Sequence, residues 1–153
     1  MRIALDSNIL VYLAQLAKVP ADQEKVARIS EVIDALSGAA LLAPVQALGE
    51  CFVVLRRSGL PVEEVRDVLA DFADSFAAPA SERATALAAA DLAVDHKLQY
   101  WDAMIVSAAV DAGCTLLLSE DMQHGFVARG LTIVNPFAEP AHPKLAALIK
   151  EQE

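Results

Sequence analysis

Short apolar runs and longer apolar stripes alternate along the chain, and each predicts a different element. Nearly continuous runs of a few apolar or β-branched residues are typical of strands buried on both faces of a sheet. Such runs occupy residues 3–5, 40–43, 114–118 and 131–134. Apolar residues at helical spacing predict helices at 9–13, 22–37, 45–57, 61–76, 81–97, 101–112 and 143–149. This alternation predicts an α/β sandwich built on a parallel sheet.

The connection between the helices at 61–76 and 81–97 is short. Ala78-Pro79-Ala80 separates them, and a connection of this length commonly joins neighbouring antiparallel helices. We therefore expect a helical hairpin. The 153 residues suffice for one domain. We expect it to span residues 1–135, with a tail at 136–153 that belongs to the same domain and carries the short last helix.

Composition excludes several classes of protein. Hydrophobic residues make up 56% of the chain and charged residues 22%, which excludes intrinsic disorder. The chain has 12 Lys and Arg against 21 Asp and Glu, a net charge of −9, which argues against a basic surface that grips nucleic acid through its phosphates. No apolar run reaches the ~18 residues that a membrane-spanning helix needs, so we expect no membrane association.

The cysteines and the N-terminus indicate a compartment. Cys51 lies within an apolar helical pattern and Cys114 opens an apolar strand, so both are expected as buried thiols in a reducing compartment. Asp6 and Asn8 interrupt the N-terminal apolar stretch where the apolar region of a signal peptide would stand. We therefore expect a cytoplasmic protein.

Acidic residues follow two of the predicted strands. Asp6 comes directly after the run at 3–5, and Ser119-Glu120-Asp121 comes directly after the run at 114–118. Because ligands bind at the carboxyl ends of parallel strands, these acids are candidates for one site. Taken alone, each Asp is better explained as the N-cap of a following turn or helix, and it is their repetition that favours a shared site.

Two further acids lie in predicted helices. Glu50 has no cation three or four residues away, so it either faces water or, in a largely apolar helix, binds a metal or a charged ligand. Asp102 stands before Ala103 at a helix start. The alternative for Asp102 is an N-cap role, with Trp101 packed on Val106.

Together these motifs resemble the PIN-domain nucleases, and among them the VapC-type toxins of prokaryotic toxin–antitoxin pairs. That family opens with Asp-(Thr/Ser)-Asn after its first strand, which Asp6-Ser7-Asn8 matches. Its second acid is a Glu in a helix that ends in a Leu-rich, basic turn, which Glu50 and Leu55-Arg56-Arg57 match. Asp102-Ala103 matches the third acid at the head of a helix, and Ser119-Glu120-Asp121 matches the closing (Thr/Ser)-x-Asp. The resemblance covers residues 2–135.

The resemblance implies a PIN-like three-layer α/β/α sandwich with a central parallel sheet of about four to five strands. It also implies an endoribonuclease that hydrolyses RNA phosphodiester bonds with Mg²⁺ or Mn²⁺. Asp6 and Asp102 would be the principal metal ligands. Glu50 and Asp121 would be further ligands, direct or through water.

Other residues receive supporting roles by the same resemblance. Asn8 and Ser119 are expected to hold the carboxylates by hydrogen bonds. Glu120 is an extra acid beside the fourth one, and metal binding, solvent exposure and a share in the fourth role all stay open. Arg56 and Arg57 are weak candidates for contacts to substrate phosphates, since a solvated surface position explains each at least as well.

Charge repulsion explains why such a site needs a cation. Two carboxylates repel by about 4 kcal/mol at about 4 Å in an effective dielectric constant of about 20. Oxygen ligands suit hard Mg²⁺ or Mn²⁺, whereas Zn²⁺ favours His or Cys. His96, His124 and His142 show no paired ligand spacing, and we expect all three at the surface.

The resemblance also implies partners. These are an RNA substrate, a VapB-type antitoxin that offers a basic side chain to the carboxylates, and a second copy of the chain in a homodimer. An acidic toxin suits a cationic antitoxin arm. Two alternatives stay open: a PIN nuclease that acts in RNA maturation without an antitoxin, and a catalytically inactive PIN module that only binds.

Overall fold

The computed structural model describes residues 1–15 and 20–151, and it contains one five-stranded sheet in the order β2-β1-β3-β5-β4. Its strands are β1 (Arg2–Leu5), β2 (Ala40–Leu42), β3 (Leu116–Leu118), β4 (Val127–Ala128) and β5 (Leu131–Val134). The first four in spatial order run parallel, and β4 pairs antiparallel with β5 at one edge. The apolar runs predict the four parallel strands, whereas the two-residue β4 is too short to leave a pattern.

Seven helices lie within the described ranges. They are α1 (Ser7–Leu13), α2 (Pro20–Ala35), α3 (Val45–Arg57), α4 (Val62–Ser75), α5 (Arg83–His96), α6 (Tyr100–Asp111) and α7 (Pro143–Lys150). The residues of α6 from 103 to 109 are all buried, as expected for a helix that is apolar on every side. The α/β fold class is confirmed.

The strand register brings the carboxyl ends of three strands level. Leu5 of β1 lies opposite Leu118 of β3, which lies opposite Val134 of β5. The backbone N–H of Asp6 donates to Leu118 at 3.0 Å, and that of Ser119 donates to Val134 at 3.1 Å. The residues that follow β1 and β3 are therefore neighbours at one edge of the sheet.

The predicted hairpin of α4 and α5 is wrong. Helix α4 packs on α3, and α5 packs on α6. The chain between them runs beside β2 instead: Ala77 bridges Leu42 in parallel, and its carbonyl accepts from Ala43 N–H at 2.8 Å. Because this stretch pairs with the exposed edge of β2, it separates the two helices and covers the edge.

The C-terminal tail adds α7, whose Leu145 is buried in the core. Residues 152 and 153 of the predicted tail lie outside the described ranges, and the domain boundary at residue 135 stays a prediction. Cys51 and Cys114 are buried free thiols, and burial raises their pKa to about 12 and about 11. No helix in the described residues is long and apolar enough to cross a membrane.

Candidate active site at the carboxyl edge of the sheet

Asp6 links the sheet to the first helix. It is 3% exposed and is the N-cap of α1, accepting from Ser7 N–H at 2.6 Å through Oδ1. Ser119 Oγ donates to Asp6 Oδ2 at 2.7 Å across the sheet edge. The cap that the sequence offered as an alternative to a site role is thus real, and the same carboxylate also faces the other acids.

Burial governs the protonation of Asp6. Loss of hydration raises its pKa, and the hydrogen bonds from Ser119 and Ser7 lower it. The charges of Glu50 and Asp121 raise it further. The pKa of Asp6 therefore lies above its ordinary value in spite of its donors.

Asn8 joins α1 to the segment after β3. Its Nδ2 donates to Asp6 Oδ2 at 3.2 Å and to Asp121 Oδ2 at 3.3 Å. Its Oδ1 accepts the backbone N–H of Glu120 at 3.1 Å. One amide therefore sets the separation of two of the candidate carboxylates.

Glu50 reaches the same edge from α3, which packs on α1. Ser7 Oγ lies 3.2 Å from Glu50 Oε2 and 3.4 Å from Asp6 Oδ1. Gln46, one turn earlier in α3, donates to Glu50 Oε1 at 3.1 Å. Glu50 is half-buried and oriented by neutral donors.

Asp102 lies in the first turn of α6 and is not its N-cap. Gln99 holds that position, and its Oε1 accepts the N–H of Asp102 at 3.2 Å. No described residue donates a hydrogen bond to the half-buried Asp102 carboxylate. Burial raises its pKa to about 6, and the charges of Asp6, Glu50 and Asp121 contribute to the rise. The structure therefore brings all four candidate acids within electrostatic reach of one another.

The donor chemistry of these acids fits a hard divalent cation. Their ligand atoms are carboxylate oxygens, which hard cations prefer. The carboxylate of Asp102 accepts no hydrogen bond from the described residues, so its oxygens are available to a cation. Within residues 1–15 and 20–151, no three Asp, Glu, His or Cys side chains are arranged to hold a metal ion as they stand. To hold an ion, side chains other than the anchored Asp6 would have to move towards it.

The histidines lie outside this group of acids. His96 and His124 are exposed, and His142 is half-buried at the start of α7, where its Nδ1 accepts Lys144 N–H at 3.2 Å. The rings of His124 and His142 lie 5.4 Å apart. None of the three histidines is buried in the core, and His142 is the most covered of them.

Glu120 lines the same cleft as Asp121, and its carboxylate contacts Tyr12 and Lys25. Its Oε2 accepts from Tyr12 Oη at 2.5 Å, and its Oε1 forms an ion pair with Lys25 of α2. The hydrogen bond from Lys25 to Glu120 raises the pKa of Lys25, and burial, followed by Glu120, raises the pKa of Tyr12 to about 12. Glu120 therefore makes polar contacts with α1 and α2.

A cleft of about 390 Å³ opens beside the acids. It is lined by Ser7, Asn8, Val11, Tyr12, Asp22, Val54, Glu120 and Asp121. A second groove of about 380 Å³ shares Ser7 and Val54 with it and continues past Glu50 to Arg57. Arg56 instead donates to the carbonyl of Leu60 at 2.5 Å. The two arginines of the predicted basic turn therefore have different surroundings.

Comparison with known families decides the classification. A family model described as PIN domain matches residues 3–129. The chain belongs to the PIN domain family. This membership supports nuclease activity in general. A search of curated protein sequences returns no match.

Solved structures share the fold of this PIN domain. A toxin-antitoxin complex from Klebsiella pneumoniae is 18% identical, with 88% of this chain and 98% of that chain covered and a TM-score of 0.61. VapBC2 from Rickettsia felis, bound to a DNA fragment from its promoter, is 15% identical over 79% and 89% of the chains, with a TM-score of 0.61. Mycobacterium tuberculosis VapC20, a sarcin-ricin loop cleaving toxin, is 15% identical over 75% and 86%, with a TM-score of 0.55.

Sequence reasoning gave no role to four residues that support this PIN-domain site. Ser7 stood in the first motif, but only the packing of α1 on α3 reveals its contact with Glu50. Gln46 was visible as a residue one turn before Glu50. Tyr12 and Lys25 contact Glu120 across 108 and 95 residues, so no local pattern could indicate them.

Proposed function

We propose that this PIN domain is an Mg²⁺- or Mn²⁺-dependent endoribonuclease that hydrolyses RNA phosphodiester bonds and acts as the toxin of a toxin–antitoxin pair. The observation that carries the proposal is the set of hydrogen bonds that link three of the acids within a PIN domain: Ser7 joins Asp6 to Glu50, and Asn8 joins Asp6 to Asp121. The charges of these three acids also contribute to the raised pKa of Asp102. A site of this kind favours a divalent cation and, through it, a phosphate.

Asp6 and Asp102 are the principal ligands in this proposal, and Glu50 and Asp121 are further ligands, direct or through water. A cation held by these residues would acidify the attacking water and stabilise negative charge on the leaving oxygen. Ser119 and Asn8 hold Asp6 in place, so its carboxylate need not reorganise when substrate arrives.

Two other parts of the site act on water and substrate. Ser7 and Gln46 fix the direction of the Glu50 carboxylate, which can then orient a water through its free lone pairs. Arg57 borders the groove beside Glu50 and is free to contact a substrate phosphate, whereas Arg56 is occupied at the end of α3.

The toxin role rests on the family match together with the fold shared with toxin-antitoxin complexes. A net charge of −9 and an acidic cleft suit a basic arm of a VapB-type antitoxin. We further propose a homodimer and a cytoplasmic location, the latter supported by the two buried free thiols.

A cleavage assay with matched variants tests the nuclease. The purified chain, freed of any bound protein, is incubated with structured RNA and Mg²⁺ or Mn²⁺, with EDTA as the metal-free arm. We expect metal-dependent cleavage that Asp6→Asn abolishes and Asp91→Asn, an exposed acid of α5, leaves unchanged. Uncut RNA with either metal would favour a binding module without catalysis.

A growth assay tests the toxin. Expression should arrest growth in a host, and we expect that co-expression of a basic, DNA-binding antitoxin encoded next to this gene relieves the arrest. Mapping RNA ends after brief expression, with Asp6→Asn as the background, would identify the target. Cleavage in vitro without growth arrest or a relieving neighbour would favour RNA maturation.

A further inference from the structure

Both carboxylate oxygens of Glu120 already have a donor. Oε2 accepts from Tyr12 Oη at 2.5 Å, and Oε1 accepts from Lys25 Nζ. The Glu120 side chain is 19% exposed, against 37% for Lys25. Each oxygen keeps a further lone pair, but both are held towards Tyr12 and Lys25, so the present contacts of Glu120 favour a structural link between the segment after β3, α1 and α2.

Lys25 is held from more than one direction. Its Nζ lies 5.9 Å from the centroid of the Tyr12 ring and 5.3 Å from that of Phe137. The two rings meet edge to face with centroids 5.5 Å apart. An ammonium near two aromatic rings and paired with a carboxylate has little freedom to move.

The backbone of Glu120 transmits this anchoring to the acids. Its N–H donates to Asn8 Oδ1 at 3.1 Å, and Asn8 Nδ2 donates to Asp6 and Asp121. A shift of Glu120 would rotate or release the Asn8 amide. A continuous chain of contacts therefore runs from Lys25 through Glu120 and Asn8 to two of the four acids.

We propose that Glu120 and Lys25 are positioning residues, which set the separation of Asp6 and Asp121 through Asn8 and thereby tune the affinity of the site for its divalent cation. The proposal rests on the proposed function, because it concerns the same site. It also gives Glu120 a role in place of the open alternatives of ligand or solvated acid.

The test compares Lys25→Met, Glu120→Gln and the rescue variant Lys25→Arg, with Glu24→Gln, an exposed acid of α2, as the control. The probe is Mn²⁺ alone, titrated by electron paramagnetic resonance well below the melting temperature. We expect Lys25→Met and Glu120→Gln to weaken Mn²⁺ binding about tenfold or more. Lys25→Arg should restore it, and Glu24→Gln should match the wild type.

Two further measurements separate positioning from stability. The kcat for RNA cleavage should fall in both variants while KM changes less than about twofold, since substrate contacts are intact. The side-chain amide resonances of Asn8 should shift in the metal-free protein, and this readout needs neither metal binding nor cleavage.

Three outcomes would overturn the proposal. One is unchanged Mn²⁺ affinity and Asn8 resonances in variants that only melt earlier. Another is that Glu120→Gln loses Mn²⁺ binding while Lys25→Met keeps the wild-type affinity, which would make Glu120 a ligand. The third is failure of Lys25→Arg to restore the affinity. If the wild-type chain cleaves no RNA while the Asn8 resonances still shift in Lys25→Met and Glu120→Gln, the proposed function is contradicted and the positioning role is supported.

Discussion

The two sides of the acidic cleft are built differently. On the sheet side, Asp6 is 3% exposed and accepts hydrogen bonds from Ser7, Asn8 and Ser119. On the α6 side, the half-buried Asp102 receives none from any residue that the structure describes. Both acids have a raised pKa, yet only Asp6 has donors that lower it in part.

The two sides therefore contribute different properties to the site: the sheet side fixes the position of a carboxylate, and the α6 side supplies a carboxylate with a poorly stabilised charge. The sheet side owes its precision to strand register and to fixed donors, so it is organised before any ligand arrives. The α6 side contributes the Asp102 carboxylate, whose charge is opposed by three neighbouring acids and which accepts no hydrogen bond from the described residues. We therefore expect Asp102 to contribute most of the electrostatic attraction for a cation, and Asp6 to fix the position at which the cation binds.

Asp102→Asn should have the largest effect. It removes a ligand charge without removing a hydrogen bond, so we expect RNA cleavage and the Mg²⁺-dependent rise in Tm to disappear. The Tm in EDTA should rise, because a poorly tolerated charge is gone. Cleavage assays and thermal unfolding with and without Mg²⁺ measure both.

The control for this variant is Asp91→Asn, which changes the same charge on exposed α5. It should leave cleavage, Tm and the Mg²⁺ response as in the wild type. Retained cleavage by Asp102→Asn, or a lower Tm in EDTA, would contradict the contrast between the two sides.

Ser119→Ala tests the sheet side. Ser119 Oγ is fully buried, donates to Asp6 and accepts Met122 N–H at 3.1 Å. Its loss should cost about 1–3 kcal/mol of unfolding free energy and lower kcat about tenfold to a hundredfold. Urea unfolding and steady-state kinetics measure the two effects.

Ser107→Ala is the matched control. The hydroxyl of Ser107 in α6 is buried and has no hydrogen-bond partner among the described residues. Its removal should be neutral or slightly stabilising and should leave kcat unchanged. Equal losses from both serine variants would mean that packing, and not the bond to Asp6, explains the first.

The sheet side of this contrast could be predicted from the sequence. Apolar runs located β1 and β3, and the polar residues after a parallel strand belong at its functional edge. The sequence alone therefore predicts that Asp6 and Ser119 lie close together. Local pattern and parallel topology were sufficient because register alone makes Leu5 and Leu118 neighbours.

Long-range contacts set the rest and left no local signal. The hairpin prediction for α4 and α5 failed because Ala77 pairs with β2, a contact that spacing along the chain does not encode. From the sequence, Asp102 is equally explained as the N-cap of α6. The structure excludes that role because Gln99 is the N-cap. The role of Glu120 depended on Lys25, which lies 95 residues earlier.

The pH dependence of the unfolding free energy tests the raised pKa of Asp102 on the α6 side. The pKa of Asp102 is about 6 in the folded chain, above its ordinary 3.8, so the folded state binds more protons between these values. In EDTA this group destabilises the fold at neutral pH, by about 1 kcal/mol after allowance for its partial exposure. The penalty should fade as pH drops through 6 toward 4.

The difference in unfolding free energy between wild type and Asp102→Asn gives the contribution of Asp102, because the other acids titrate in both proteins. It should shrink as the pH falls from 7.5 to 5, and saturating Mg²⁺ should reverse its sign at neutral pH because only the ionised wild type binds the ion. A difference that does not vary with pH would contradict the raised pKa of Asp102.

The smallest expected effect concerns the groove beyond Glu50. Arg57 borders it and Arg56 does not, so Arg57→Ala should raise KM for RNA about threefold at low salt with kcat little changed. The effect should fade at high salt, since the contact is exposed. Arg56→Ala should instead lower Tm slightly, through the lost bond to Leu60, and leave KM unchanged. If both variants raise KM equally, RNA is attracted by the overall positive charge of the basic turn. A specific contact between Arg57 and a substrate phosphate would then be contradicted.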